Sequence, residues 1–375
     1  MKILELTNYS SGICGVWARA REEAVRLAER GHIVKVFSSD FIKGKEGRAS
    51  KKDKIGKVEI RRFPGQRLGG ESFMSWNFEE EALKFKPDVI IAHSYRHFHT
   101  TKALEVGDKI GCKVILVTHA PFVEKEIRGK INSAIVKLYD SFFGRKALQR
   151  FDKIITITKW EVSYLKALGV SEEKIAYIPN GIPEEFFDWK VNAGDEKKIL
   201  FLGRVSRIKQ IETTIEAISL LKDKEIKLEI IGPAEAEYGD SLIKLAERFH
   251  VENRVSFLPP VYNLKDKIKA IDSAKLFVLP SKRESMPQSL IEAMARERVV
   301  IASRNKGTDE LVSNGETGFL FESGNSRELA SIIEIVLREK GIDKICKRTR
   351  ESVKRFSWAK VIIELDKEIK RVVKG

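Results

Sequence analysis

Two glutamates, Glu284 and Glu292, stand eight residues apart in Ser281–Met294 (SKRESMPQSLIEAM), directly behind the apolar run Leu276–Leu279. Carboxylates at a strand-to-helix junction can accept hydrogen bonds from the vicinal hydroxyls of a sugar or a ribose. The spacing alone carries nothing, because 54 acidic residues in a chain of 375 generate roughly eight such pairs by composition. Context carries more. Ser285-Met286-Pro287-Gln288 predicts a capping box, with Ser285 as N-cap and Gln288 at N3, so that Glu284 lies just outside a helix and Glu292 about two turns in. The bland reading is a pair of solvated charges at a helix start.

Arg204 and Lys209 lie five residues apart behind Gly203, where the run Ile199–Leu202 gives way to a helical pattern. An arginine fork and a lysine point charge beside a helix start suit a diphosphate; taken alone they also read as solvated loop charges. His119 follows the run KVILVT and precedes Ala120-Pro121-Phe122, and His93 ends the run DVIIAH. Both sit at the carboxyl end of a strand, where either could equally be a satisfied core-edge histidine. His97 and His99 lack an obvious carboxylate partner and argue only weakly for a metal. Gly12 and Gly15 precede a helix in Thr7–Val16, where glycines admit a close ligand and a helix start favours anions. A tight strand-to-helix turn explains them as well, since GxGxxG is not matched and only Asp40 could serve as a ribose-binding acid.

The elements that must position these residues alternate. Strands are expected at Lys2–Leu6, Ile33–Phe37, Val89–Ala92, Val114–Thr118, Ile154–Thr158, Ile199–Leu202, Leu228–Ile231, Val255–Leu258, Leu276–Leu279 and Val299–Ala302. Helical patterns fall between them, as at Val16–Arg30, Ile211–Leu221, Asp240–Phe249 and Pro287–Ala295. Such alternation implies parallel sheets with helices on both faces. Residues 184 to 198 are polar and aperiodic and read as a linker behind the turn cluster Ile178–Pro183. The expectation is an α/β protein of two Rossmann-like doubly wound domains facing across a cleft, 1–185 and 186–357. A final helix, 358–375, carries one apolar face through Val361, Ile362, Leu365, Ile369 and Val372.

Composition bounds the partners. Hydrophobic residues make up 42% and charged residues 33%, which is globular, and 375 residues exceed what one core usually serves. No apolar run is long enough to span a bilayer, and Met1–Leu6 runs straight into a strand pattern, so a cytoplasmic protein is expected, at most peripheral on the cytosolic membrane face. Cys14, Cys112 and Cys346 are scattered and imply neither disulfides nor zinc. The net charge of +15 favours anionic partners, although abundant Lys and Glu also suit a thermophile's surface.

Taken together these residues resemble family four of the retaining glycosyltransferases, which have the two-domain GT-B fold. The resemblance covers most of the chain. It is carried by Asn180-Gly181, Gly203-Arg204 with Lys209, the E-x7-E pair Glu284 and Glu292 followed by Ala293-Met294-Ala295, Val300–Ser303, Glu310–Val312, Asn314–Phe319 and Phe356-Ser357-Trp358. It implies transfer of a hexose-type sugar from a nucleotide-sugar donor, a UDP- or GDP-sugar, to an acceptor hydroxyl with retention, with no cofactor and no essential metal. Arg204 and Lys209 would hold the diphosphate, Glu292 the ribose, Glu284 the transferred sugar, and His119 would sit near the reacting carbon. Gly12 and Gly15 would let the first loop close over the phosphates, and the last helix would return to the N-terminal domain. The chain departs from the family at Ser285-Met286-Pro287, where glycine and an aromatic are usual and donor preference is set. It departs again at Gln210 and Glu297, where glycine is common.

The acceptor is not legible. Lys125 to Lys159 carries nine Lys/Arg against three acids, interleaved with Ile131, Ile135, Val136, Leu138, Tyr139, Phe142 and Phe143. Two readings compete: a basic amphipathic stretch on an anionic membrane, serving a lipid-linked acceptor, or a solvated face whose apolar side lies in the core. A nucleotide-sugar epimerase of the same fold and a non-catalytic nucleotide- or nucleic-acid-binding protein are the competing classes. No interleaved basic and aromatic stripe or RNA-binding motif supports nucleic acid. Oligomeric state is left open.

Overall fold

The computed structural model describes residues 1–67, 69, 71–122, 129–339 and 341–375. It divides into two compact units, Met1–Gly181 with Trp358–Gly375, and Ile182–Ser357.

In the first unit the strands are β1 (Lys2–Tyr9), β2 (Ile33–Ser39), β3 (Lys52–Ile55), β4 (Val58–Phe63), a small antiparallel pair β5 (Gly65–Arg67) and β6 (Met74–Trp76), then β7 (Val89–His93), β8 (Lys113–Val117), β9 (Lys153–Thr156) and β10 (Ile175–Tyr177). The main sheet runs β10-β9-β8-β7-β1-β2-β4-β3. All its pairings are parallel except β3 with β4. Strand order reverses around β1, between β7 and β2, which is where doubly wound sheets bind ligands. Ile3, Leu4, Leu6, Ile90, Ile91, Ile115 and Leu116 are fully buried, as expected of strands covered on both faces.

The Trp358–Lys374 helix belongs to this unit, and Val361, Leu365 and Ile369 on its apolar face are buried. Its buried Asp366 accepts from Arg30 Nε (2.7 Å) and pairs with His32 Nε2 (2.9 Å). A Cβ on Gly181 would stand 2.4 Å from the Trp358 ring, so only glycine lets this indole lie flat on the backbone.

The second unit has β11 (Asp195–Leu202), β12 (Lys227–Ile231), β13 (Val255–Leu258), β14 (Ala274–Leu279), β15 (Val299–Ser303) and β16 (Phe319–Phe321), in the order β13-β12-β11-β14-β15-β16 and wholly parallel. Order reverses at β11. Each unit is thus a Rossmann-like doubly wound sheet, and the α/β reading holds.

The structure corrects several local expectations. The Gln288–Ala295 helix has Pro287 as its N-cap residue and no side-chain cap, so the Ser285 capping box does not form. The proline already fixes the entry angle and brings no N–H to satisfy. The presumed linker contains a short helix, Glu185–Asp188, and the charged first half of β11, whose side chains point to water at the sheet's end. The short strands β10 and β16, the charged edge pair β3 and β4, and the β5–β6 pair were not anticipated. Three residues, or an alternation of Glu, Arg and Val, give little periodic signal.

The basic segment differs most. Residues 125–128 lie outside the described residues; beyond them, the Lys130–Tyr139 helix, a π turn at Asp140–Gly144 and the Arg145–Arg150 helix follow one another. The first helix buries none of its side chains, and Ile131, Ile135, Leu138, Phe142 and Phe143 are 55–78% exposed. Of the two readings of this segment, the one that places its apolar side in the core is therefore overturned. Tyr139, Asp140, Gly144 and Leu148 turn inward, Gly144 against the Tyr95 hydroxyl.

Candidate functional site

The second unit gathers its chemistry at the carboxyl ends of three neighbouring strands, β11, β14 and β15. β11 ends at Leu202, and Gly203 follows with φ +158. A Cβ on Gly232 would meet the Gly203 carbonyl at 1.9 Å, so the two loops touch backbone to backbone. Arg204 is exposed and Lys209 half-buried on the turn leading into the Ile211–Leu220 helix. Lys282 N donates to Ile208 O (2.9 Å), tying this turn to the loop behind β14.

Glu284 sits on that second loop. Its Oε1 accepts from Lys209 Nζ (2.5 Å) and from Ser281 Oγ (2.6 Å), and the pair is only 10–18% exposed. The Glu284 backbone N–H donates to Asn305 Oδ1 (3.2 Å), while Asn305 Nδ2 donates to Ser281 O (3.0 Å). Gly307 makes this approach feasible, since a Cβ there would meet the carbonyls of Glu284 and Ser285 at 2.6 and 2.7 Å. Ser285 is half-buried, Met286 packs on the unit's core and Pro287 is buried. The residues that depart from the family pattern thus anchor the loop.

Glu292 lies on the Gln288–Ala295 helix and is 4% exposed. Lys267 Nζ donates to its Oε1 (2.5 Å), while Oε2 is buried with no partner among the described residues. A buried carboxylate oxygen left open is costly unless something donates to it, and a ligand hydroxyl would do so. The two glutamates are therefore built differently: Glu284 is charge-paired with Lys209, and Glu292 offers one free lone-pair face.

The first unit brings together what its sequence placed at strand ends. His93 Nδ1 and His119 Nε2 are 2.9 Å apart, and His93 Nε2 lies 2.6 Å from Glu5 Oε2. His93 and Glu5 are fully buried; His119 is partly exposed. Burial pushes Glu5 up to about 8 and holds His93 down at about 4, and desolvation also lowers His119 and His99 well below the ordinary imidazole range. His97 is held at about 4 for the same reason. Glu5, Glu23 and His93 are the one group among the described residues with donor atoms close enough for a metal, within 4.8 Å. Arg19 already supplies positive charge there, its Nε donating to Glu23 Oε1 (2.9 Å).

The histidine loops are strained and held. His119 and Ala120 have φ of 58 and 51, and Ser94 and Arg96 have 80 and 68. Each such non-glycine residue costs about 1 kcal/mol or more and persists where its surroundings over-determine it, which is common at functional sites. Buried Glu161 does so for the loop after β8. Its Oε1 accepts from Thr118 Oγ1 (2.5 Å) and Ala120 N (2.9 Å), and its Oε2 from Ile157 N, Thr158 N and Thr158 Oγ1 (2.9–3.0 Å). Asp140 holds the other loop through Arg96 and the Tyr95 hydroxyl. Gly12 has φ +85, and a Cβ there would collide with the Lys43 carbonyl at 2.2 Å; Gly15 has open space around it and begins a helix.

Sequence reasoning missed Lys267, Asn305 and Gly307, whose types are common and whose spacing from Glu284 and Glu292 is set only by the fold. It also missed Glu5, Arg19, Glu23 and Glu161. A glutamate inside the apolar run Lys2–Leu6 was the available signal for Glu5.

Residues 13–186 match the family model for glycosyltransferase family 4, and residues 183–356 match the model for glycosyl transferases group 1. An uncharacterised glycosyltransferase of Methanocaldococcus jannaschii is 28% identical over 79% of this chain and 81% of its own. Among solved structures, the sucrose-phosphate synthase of Thermosynechococcus elongatus superposes with a TM-score of 0.77 at 18% identity, covering 99% of this chain and 98% of that one. HepE of Anabaena, in complex with UDP and glucose, gives 0.72 at 20% identity over 99% and 100%. With both halves of the chain matched in order and the fold shared end to end, the chain belongs to the family 4 glycosyltransferases of GT-B fold, and it is a glycosyltransferase.

Proposed function

We propose that the protein transfers a hexose-type sugar from a UDP- or GDP-sugar to an acceptor hydroxyl with retention at the anomeric carbon. The observation that carries this is the pair of unlike glutamates in the second unit, Glu284 bonded to Lys209 and Glu292 with a buried, unpartnered Oε2. In this reading Glu292 takes the ribose hydroxyls through Oε2 while Lys267 holds Oε1. Lys209 and Arg204 take the diphosphate and stabilise charge as the nucleotide leaves, in place of a metal. When the diphosphate engages Lys209, Glu284 is freed from its ion pair to accept from the sugar's hydroxyls. His119 lies near the reacting carbon, and Gly12 and Gly15 lend backbone to the phosphates. The match to a fold that binds UDP and glucose in HepE supports this donor class. A thermal-shift screen against UDP-, GDP- and ADP-sugars tests it, because a ligand that binds only the native state raises the melting temperature. UDP- or GDP-sugars should raise it and release free nucleotide on incubation. Silence towards all three, or interconversion of the sugar without an acceptor, would contradict it.

The acceptor in this proposal is lipid-linked. Ile131, Ile135, Leu138, Phe142 and Phe143 form an exposed apolar stripe beside Lys130, Lys137, Arg145 and Lys146. Such a surface suits the interface of an anionic bilayer, where apolar burial and cation attraction add. Co-sedimentation with vesicles should require anionic lipid and weaken with salt. Replacing Phe142 and Phe143 with serine should reduce it at least tenfold; equal binding to neutral vesicles would refute the electrostatic part.

A further inference from the structure

Three buried side chains connect the middle of β1 to the loop after β8. Glu5 Oε2 faces His93 Nε2 at 2.6 Å, and His93 Nδ1 faces His119 Nε2 at 2.9 Å. Each contact holds one proton, and a neutral imidazole carries only one N–H. The state of Glu5 therefore dictates the rest. If Glu5 is protonated, the proton belongs on Oε2, because Oε1 is buried with no partner among the described residues. Oε2–H then donates to His93 Nε2, His93 Nδ1–H donates to His119 Nε2, and His119 carries its own proton on Nδ1. If Glu5 is ionised, His93 Nε2–H donates to it, His119 Nε2–H donates to His93 Nδ1, and His119 Nδ1 becomes an acceptor.

The surrounding charges favour a proton on Glu5 at neutral pH. Two carboxylates share one guanidinium, and Arg19 gives it to Glu23, through Nε at 2.9 Å and Nη2 at 2.8 Å. Arg19 Nη1 is engaged by Ile178 O and Asn180 Oδ1. Glu23 Oε2 stands 3.6 Å from His93 Nε2, beyond hydrogen-bond reach. From the next helix His99 Nε2–H donates to the His93 carbonyl (2.9 Å), and His97 neighbours His99. Among the described residues, Glu5 is thus left without a countercharge of its own.

We propose that Glu5 and His93 form a proton relay that sets which ring nitrogen of His119 is protonated, and that Glu5, when ionised, stores a proton taken up at His119 Nδ1. In that event the Nδ1 lone pair gains a proton, His119 Nε2–H passes its proton to His93 Nδ1, and His93 Nε2–H passes its proton to Glu5 Oε2. One proton enters at the site and one negative charge is neutralised on β1, with no imidazolium formed in the core. Glu5 and His93 act as positioning residues through His119; this rests on reading His119 as part of the sugar-transfer site.

The test uses the full chain with ring-15N-labelled histidine, following the tautomer of His119 by long-range 1H–15N spectra from pH 6 to 9.5, assigned through His119→Gln. In the native protein His119 should pass from Nδ1–H to Nε2–H with a midpoint near 8, the value to which burial raises Glu5. Glu5→Gln, whose amide can donate to His93, should hold His119 as Nδ1–H at every pH. His93→Gln, which severs the relay, should abolish the transition near 8 and serves if Glu5→Gln does not fold. A pH-independent tautomer in the native protein, or the same midpoint in either variant, overturns the relay. The readout does not depend on turnover. If the tautomer shifts as described while His119→Gln transfers sugar normally, the relay stands and the placing of His119 at the reacting centre fails.

Discussion

At the residue scale, the buried charges of the first unit make stability depend on pH. The folded state raises Glu5 to about 8 from an ordinary 4.5, so its stabilising contribution is complete below 4.5 and is lost as pH rises through 8. Glu5→Gln cannot ionise and should match the native protein near pH 4.5. It should become the more stable of the two by a widening margin up to pH 8, as read by urea midpoints across that range. A constant difference would mean that Glu5 is not protonated in the fold. None of this was legible from residue types. Glu284, Glu292, Lys209 and His119 could be named because chemistry and order along the chain pointed to them. Glu161 and Lys267 could not, since their partners are far away in sequence.

At the element scale, the ten expected strands all form, because continuous apolar runs bounded by turns survive any tertiary context. What the sequence left misread or open was an interface between elements: Ser285 reads as a cap where Pro287 is the N-cap residue, and of two readings of an apolar stripe the one that places it in the core fails. Periodicity reports that a face is apolar, not what covers it. Two departures from the family pattern acquire a physical reason here. Gln210 and Glu297, standing where glycine is common, have φ of 46 and 56, the left-handed region. Gln210 offsets some of that strain by accepting from Ser323 Oγ (2.6 Å), and Glu297 pairs with Arg350 (3.2 Å). Relief of about 1–2 kcal/mol of left-handed strain, less about 0.5–1 kcal/mol of added chain entropy, predicts that Gln210→Gly stabilises by up to about 1.5 kcal/mol. Equilibrium denaturation checks it, and a destabilised variant would show that the Ser323 bond outweighs the strain.

At the scale of the whole molecule, two doubly wound sheets each place their distinctive side chains at the carboxyl ends of strands around a reversal in strand order. That arrangement followed from alternating β and α patterns alone. The assignment of the Trp358–Lys374 helix to the first unit did not, since an apolar face names no partner; Asp366 with Arg30 and His32 decides it in the structure. The central claim is the division of labour between Glu284 and Glu292 in holding a nucleotide sugar, and calorimetric titration with UDP and GDP tests it most directly. The native protein should bind one of them. Glu292→Gln should weaken that binding about 10-fold or more, the loss expected when a charged hydrogen-bond acceptor is removed. Glu284→Gln should leave nucleotide affinity within about threefold while lowering turnover, because its partner in this account is the sugar. Equal loss of nucleotide affinity in both variants, or no loss in either, would contradict the account.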